Sequence, residues 1–130
     1  MSEIVEQKTF EDIRHIDEEG NEYWLARELA PLLDYAKWEN FETVLHKAIT
    51  SCISSNIDEG NNFLEIRKMV TIGSGANRHI KDYKLSRYAC YLAVQNGDSS
   101  KPVIANGQTY FAVQTRLRRI SRILITTLVS

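Results

Sequence analysis

From Trp38 to Ile53 the apolar residues recur three and four positions apart, at Trp38, Phe41, Val44/Leu45, Ala48/Ile49 and Cys52/Ile53. That period gathers them on one face of a long α-helix, the strongest helical signal in the chain. A shorter face made of Leu25, Leu29 and Leu32/Leu33 predicts a helix over residues 26–33. Glu28 lies near its start, where the helix dipole favours negative charge, and Pro31 fits only if the helix is short or bent. Ahead of it, Ile13 and Ile16 on one side and Tyr23 and Trp24 on the other flank Asp17-Glu18-Glu19-Gly20-Asn21, the pattern of a short hairpin. Further on, Ile66, Met69, Val70 and Ile72 lead into Gly73-Ser74-Gly75-Ala76-Asn77, followed by Ile80, Tyr83 and Leu85. Two strands joined by a glycine-rich turn account for this stretch.

Helical spacing returns through Leu85, Tyr88/Ala89 and Leu92/Ala93, and Asn96-Gly97 stops it with residues suited to a left-handed cap. A last helix begins near Ser100, with Pro102 in its first turn and two neighbouring stripes, Ile104, Gln108, Phe111 and Val103, Tyr110, Val113. The predicted fold class is α+β: a mostly helical single domain with a helix-turn-helix-like N-terminal half and one or two small β-hairpins.

Composition narrows the class. The chain has 130 residues, a net charge of -1 and 43% hydrophobic residues, as expected of one soluble globular domain. No apolar run approaches the ~20 residues that span a bilayer, and the acidic start Met1-Ser2-Glu3 lacks the order of a signal peptide. A cytoplasmic protein without a membrane partner is expected. Cys52 and Cys90 are too few for a disulfide scaffold or a four-ligand zinc site and read as reduced core residues.

The near-zero charge conceals a division. Residues 1–65 hold 15 Asp/Glu and 5 Lys/Arg, whereas residues 66–87 hold Arg67, Lys68, Arg78, Lys81, Lys84 and Arg87 against Asp82 alone. Residues 99–130 carry Lys101, Arg116, Arg118, Arg119 and Arg122 and no acid. Such asymmetry marks either a surface for a polyanion or two oppositely charged surfaces that pair internally.

The candidate functional residues follow from this. Arg67, Lys68, Arg78, Lys81, Lys84 and Arg87, with His79, surround the Gly73–Ala76 turn, where backbone amides can converge on an anion. Lys-Ser/Thr does not follow the glycines at the spacing of a nucleotide-hydrolase loop, and solvated strand edges favour Lys and Arg for other reasons. The alternative reading head is a helix–turn–helix: residues 26–33, the link Asp34-Tyr35-Ala36-Lys37, and the helix from Trp38. Its second helix would present Glu39, Asn40, Glu42, Thr43, His46 and Lys47, and carboxylates facing phosphates are repelled. A core-forming helical hairpin suits it better. Tyr83, Tyr88 and Tyr91, interleaved with Lys84 and Arg87, have the composition of a base-stacking surface, although tyrosines at helical spacing are more often half-buried packing groups. His15, His46 and His79 are scattered, and neither cysteine lies in an activating motif, so nothing points to an enzyme, a metal or a cofactor.

Several runs are more specific than their composition: Asn21-Glu22-Tyr23-Trp24 with Ala26-Arg27-Glu28-Leu29, Trp38-Glu39-Asn40-Phe41, and Arg67-Lys68-Met69. Then come Lys81-Asp82-Tyr83, Leu85-Ser86-Arg87-Tyr88-Ala89-Cys90-Tyr91-Leu92, Gln95-Asn96-Gly97-Asp98, and the run from Gln108 to Arg116. In this order they resemble the DNA-damage-inducible protein D family, whose N-terminal part is similar to the Bro-N domain of phage antirepressors and baculoviral Bro proteins. The resemblance covers about residues 9–116. It implies a bacterial, cytoplasmic, non-enzymatic protein of the DNA-damage (SOS) response, with DNA as the partner or, alternatively, a repair or repressor protein modulated without DNA contact. It carries no catalytic residues. Relatives have Leu-Gly-Tyr where this chain has Leu33-Asp34-Tyr35, so a left-handed cap there must be taken by Asp at some cost.

The domain boundary is placed after residue 116. Family members continue with a long, charged helical region, whereas residues 117–130 read Leu-Arg-Arg-Ile-Ser-Arg-Ile-Leu-Ile-Thr-Thr-Leu-Val-Ser. That tail reads as the end of a truncated or out-of-frame product, or else as an amphipathic helix through Leu117, Ile120, Leu124 and Leu128 docked on the domain or on a second copy, which would make the chain a homodimer.

Overall fold

Residues 9–129 are described by the structure, a computed structural model. A 3-10 turn at Glu11–Ile13 leads into strand β1 (His15–Ile16), which pairs with β2 (Glu22–Leu25). The chain then passes into helices α1 (Ala26–Leu32), α2 (Trp38–Ser54) and the one-turn α3 (Glu59–Asn62). Strands β3 (Phe63–Thr71) and β4 (Asn77–Leu85) follow, and α4 (Arg87–Gln95) and the long α5 (Pro102–Val129) complete the order. The sheet runs β1-β2-β4-β3 with every pairing antiparallel. The fold is thus α+β, with half of the chain helical.

One apolar core unites these elements. Trp24 from β2, Leu29 from α1, Phe41 and Leu45 from α2, Leu85 from β4 and Ile104 from α5 are all enclosed in it. Trp24 donates its indole N–H to the Phe10 carbonyl at 2.9 Å, and the Phe10 ring stacks on it at 4.3 Å, so its one polar atom is satisfied. Cys52 and Cys90 are free and buried, and burial pushes both thiols up from their ordinary value.

The hairpin around Asp17–Asn21, the long helix from Trp38 and the strand pair around the glycine turn all form where the pattern places them. Asp17 organises the first turn by accepting from the amides of Glu19 and Asn21. Two boundaries and one cap differ. The second hairpin starts at Phe63, ahead of Ile66, because ladder hydrogen bonds carry it through Glu65, and Leu85, at which the helical spacing resumes, belongs to β4 alone. Helix α4 therefore begins after Ser86, whose hydroxyl caps it by accepting from the Ala89 amide at 3.0 Å. At its other end, Asn96 and Gly97 keep negative φ. Gly97 serves closeness instead: a Cβ there would lie 2.9 Å from Ile104 Cδ1.

Left-handed caps do close α1 and α2. Asp34 (φ 66) follows α1, with the Asp34 amide donating to Pro31 and the Tyr35 amide to Ala30. Asn56 (φ 57) follows α2, with matching bonds from Asn56 to Ile53 and Ile57 to Cys52. Both are Schellman motifs, which satisfy the last carbonyls of each helix.

Candidate nucleic-acid interface

The β3–β4 hairpin is anchored only at its base. Phe63, Tyr83 and Leu85 are buried there against the helices, but from Glu65 to the turn and back to His79 no residue is buried. The distal part is a two-stranded ribbon that stands clear of the core, closed by the Ile72 amide donating to the Ala76 carbonyl and by Gly75 at φ +83. The glycine is needed at that position because side-chain-bearing residues rarely reach it. Directly opposed residues share a face of the ribbon. One face therefore carries Glu65 with Tyr83, Arg67 with Lys81 and Met69 with His79, and the other carries Ile66 with Asp82, Lys68 with Ile80 and Val70 with Arg78.

Five of the six basic residues of the hairpin region fall into two groups. Arg87, the first residue of α4, lies inside the fold's charge network: its Nε donates to Glu22 at 2.9 Å and its Nη1 to Glu11 at 2.9 Å, and the guanidinium lies 5.0 Å from the Trp24 ring. The hydrogen bond from Arg87 holds the Glu22 carboxyl below its ordinary value and raises the basicity of the guanidinium in return. Lys81 is held by Glu42 of α2 at 3.0 Å and by Glu65 across the ribbon at 3.3 Å, and the hydrogen bond to Glu42 raises its pKa. Lys68 faces the buried carboxylate of Asp82 at 3.1 Å.

Arg67 and Arg78 are exposed on the ribbon, with no acid within ion-pair distance among the described residues. Lys84 belongs with neither group. It is half-buried over the Tyr23 ring at 4.7 Å, with no carboxylate partner among the described residues.

Asp82 was visible in sequence as the single acid in a basic stretch, yet its role needed the fold. It is fully enclosed, its Oδ1 accepts from the Arg27 amide at 3.0 Å and from its own neighbour Tyr83 at 2.8 Å, and it thereby caps α1 from a different element. Helix α1 has no side-chain cap of its own, since Leu25 occupies that position. Arg27 completes the joint by donating Nε to the Lys81 carbonyl at 2.7 Å while its guanidinium lies 4.2 Å from the Trp38 ring. Past Lys84, the edge of β4 is thus covered by the start of α1, where β2 has left the sheet.

The other surfaces are less suited to a polyanion. Glu39, Asn40, Thr43, His46 and Lys47 are exposed on α2, and Glu42 is occupied with Lys81. Tyr83 is buried, whereas Tyr88 and Tyr91 stack on each other at 6.0 Å and Tyr91 packs edge-on against Phe111. Among the described residues no group of three or more His, Cys, Asp or Glu could hold a metal ion, and no helix is long and apolar enough to cross a membrane.

A basic two-stranded ribbon on a small α+β core is the setting in which the family assignment falls. Residues 12–112 match the BRO family N-terminal domain, and the chain belongs to this Bro-N family. It is also similar to the DNA damage-inducible protein D of Escherichia coli (strain K12), with 52% identity over 112 residues. That match covers 86% of this chain and 41% of the relative, so the chain spans less than half of the relative's length. No solved structure matches it.

Proposed function

We propose that the chain is a non-enzymatic regulatory module of the DNA-damage response that binds DNA through the distal β3–β4 ribbon. The observation that carries this reading is Arg67 and Arg78, one on each face of a ribbon that projects from the core, both exposed and free of carboxylate partners among the described residues. A two-stranded ribbon is one of the few elements that the major groove of B-DNA admits, and arginine is the side chain best matched to phosphate and guanine edges. Lys84 adds charge nearer the base of the hairpin. Lys68, Lys81 and Arg87 play a supporting part, since their ion pairs would have to be broken before they met a phosphate. Similarity to the DNA damage-inducible protein D supplies the physiological setting.

The test is fluorescence-anisotropy binding to single- and double-stranded DNA across a salt series, with the wild type, Arg67→Glu/Arg78→Glu and Arg87→Gln. Binding should weaken steeply with salt, and the Arg67/Arg78 variant should lose most of it. Wild-type affinity in that variant, or binding indifferent to salt, overturns the reading.

A second reading, docking onto a repair or regulatory protein without DNA contact, is favoured by the β1–β2 turn, where Glu18 and Glu19 are exposed with no cation within ion-pair distance among the described residues. It predicts that Glu18→Lys/Glu19→Lys abolishes co-purification of a partner from damaged cells and leaves DNA affinity unchanged.

A further inference from the structure

The two faces of the distal ribbon differ in chemistry. Residues 66–81 hold Arg67, Lys68, Arg78 and Lys81 and no acid, so the ribbon as a whole suits a polyanion. One face is closed on itself: Ile66, Val70 and Ile80 are half-buried there, and Lys68 faces Asp82. On the other face Arg67, Met69, Thr71, Asn77 and His79 are all exposed, Met69 at 60%. Only Arg67 among these five carries a fixed charge. Thr71 and Asn77 are the last opposed pair before the turn, and the Thr71 hydroxyl donates to Asn77 Oδ1 at 3.2 Å. That bond fixes the carboxamide across the two strands. The two side-chain N–H groups of Asn77 and one lone pair of its oxygen have no partner among the described residues.

An exposed thioether chain beside a hydroxyl and a carboxamide adds little to phosphate binding but suits base edges. In protein–DNA contacts the phosphates set position, whereas sequence is read by hydrogen bonds and apolar contacts to the bases in a groove. Dimensions select the groove: two strands about 4.8 Å apart, with their side chains, enter the major groove of about 12 Å and not the minor groove of about 6 Å. From Arg67 to Ile72 the ribbon extends about 17 Å, the length of roughly five base steps. In that groove a carboxamide meets adenine N6 and N7 with one accepted and one donated hydrogen bond, and an apolar side chain meets the thymine methyl. Arg67 and Arg78, on opposite faces, are left to the phosphates. We propose, resting on the reading that this ribbon binds DNA, that its face bearing Met69 and Asn77 lies in the major groove and discriminates between sequences. Asn77 is the specificity-determining residue, and Thr71 positions it.

The test is selection of duplexes from a randomised pool by the full chain, followed by anisotropy binding to the enriched duplex and to a scrambled one. Wild type, Asn77→Ala, Thr71→Val and Arg78→Ala are compared. The ratio of the two affinities, taken for each variant, is independent of any loss of folded protein. Wild type should enrich a motif of about five base pairs that contains an A·T pair. Asn77→Ala should weaken the enriched duplex by about 5- to 150-fold, leave the scrambled one within about twofold, and keep the salt slope. Thr71→Val should reduce the same ratio to a smaller extent. Arg78→Ala should weaken both duplexes alike and lower the salt slope by about 1. Absence of DNA binding overturns the DNA reading and this inference with it. Salt-sensitive binding that enriches no sequence, a preference that Asn77→Ala leaves intact, or tighter binding to single strands overturns this inference alone. Equal weakening of both duplexes by Asn77→Ala also overturns it, since that outcome makes Asn77 a backbone contact.

Discussion

Asp82 concentrates several obligations in one enclosed carboxylate: it caps α1, it accepts from the Tyr83 amide, and it sits opposite Lys68. Asp82→Ala removes a helix cap and leaves the Arg27 amide without its acceptor, and should destabilise the domain by about 2–4 kcal/mol in urea denaturation. Lys68→Met leaves the carboxylate its two amide donors, and the lysine is partly solvated, so its cost should be about 1–2 kcal/mol. Gly97 makes a second demand at this scale. Its missing Cβ lets α4 and α5 approach, and Ile104 is too enclosed to give way. Gly97→Ala should cost about 1–3 kcal/mol by thermal unfolding, while Gly73→Ala, where a Cβ meets open space, should be nearly silent. The glycine was legible as a helix stop, but only the packing shows that it acts through distance and not through a left-handed φ.

Among the elements, α1 is the shortest of the helices that build the core, and both its ends are secured from outside its own sequence. Its C-terminal cap places Asp34 at φ 66, which costs an L-residue energy that glycine avoids. Asp34→Gly should raise stability by about 0.5–1 kcal/mol, read as a higher urea midpoint at unchanged slope. The link between β2 and α4 is electrostatic. Glu22 is held below its ordinary value of 4.5 by the hydrogen bond from Arg87. Its folded pKa being depressed, the stabilisation is complete above that ordinary value and is lost as pH falls through the lower folded value. Glu22→Gln should therefore flatten the stability–pH profile below about pH 4.5 and leave its neutral limb parallel to the wild type, checked by urea midpoints across pH.

For the whole molecule, the division of charge resolves into two populations. Four acids of the first half, Glu11, Glu22, Glu42 and Glu65, neutralise Arg87 and Lys81 inside the fold and Asp82 neutralises Lys68, leaving Arg67 and Arg78 as the cations of the distal ribbon without an acid partner among the described residues. If the ribbon meets DNA as proposed, Arg67→Glu/Arg78→Glu should lower the slope of log affinity against log salt by about 2, one unit for each phosphate that the variant no longer neutralises. Arg87→Gln should act mainly on stability, leaving the slope within about half a unit of wild type. A total of -1 carries no information on this point, because a polyanion responds to the local field.

Periodicity along the chain was sufficient for the long helix from Trp38, the two hairpins and the α4 stretch, because each follows from nearest-neighbour spacing and turn chemistry that a linear string preserves, while the family was legible in particular residue runs such as Leu85 to Leu92. The same string grouped six basic residues into one candidate surface. Which of them are free was decided by the fold alone: Glu11, Glu22, Glu42 and Glu65 reach Arg87 and Lys81 from other elements, and the pairing of β3 with β4 puts Lys68 beside Asp82. Ion pairs of this kind depend on distances between residues up to 76 positions apart, and spacing along the chain does not encode them. The stripes of α5 show the same limit, since the spacing offers two rows, Ile104, Gln108, Phe111 and Val103, Tyr110, Val113, and only packing against α4 brought the first onto the domain and left Tyr110 and Val113 at the surface.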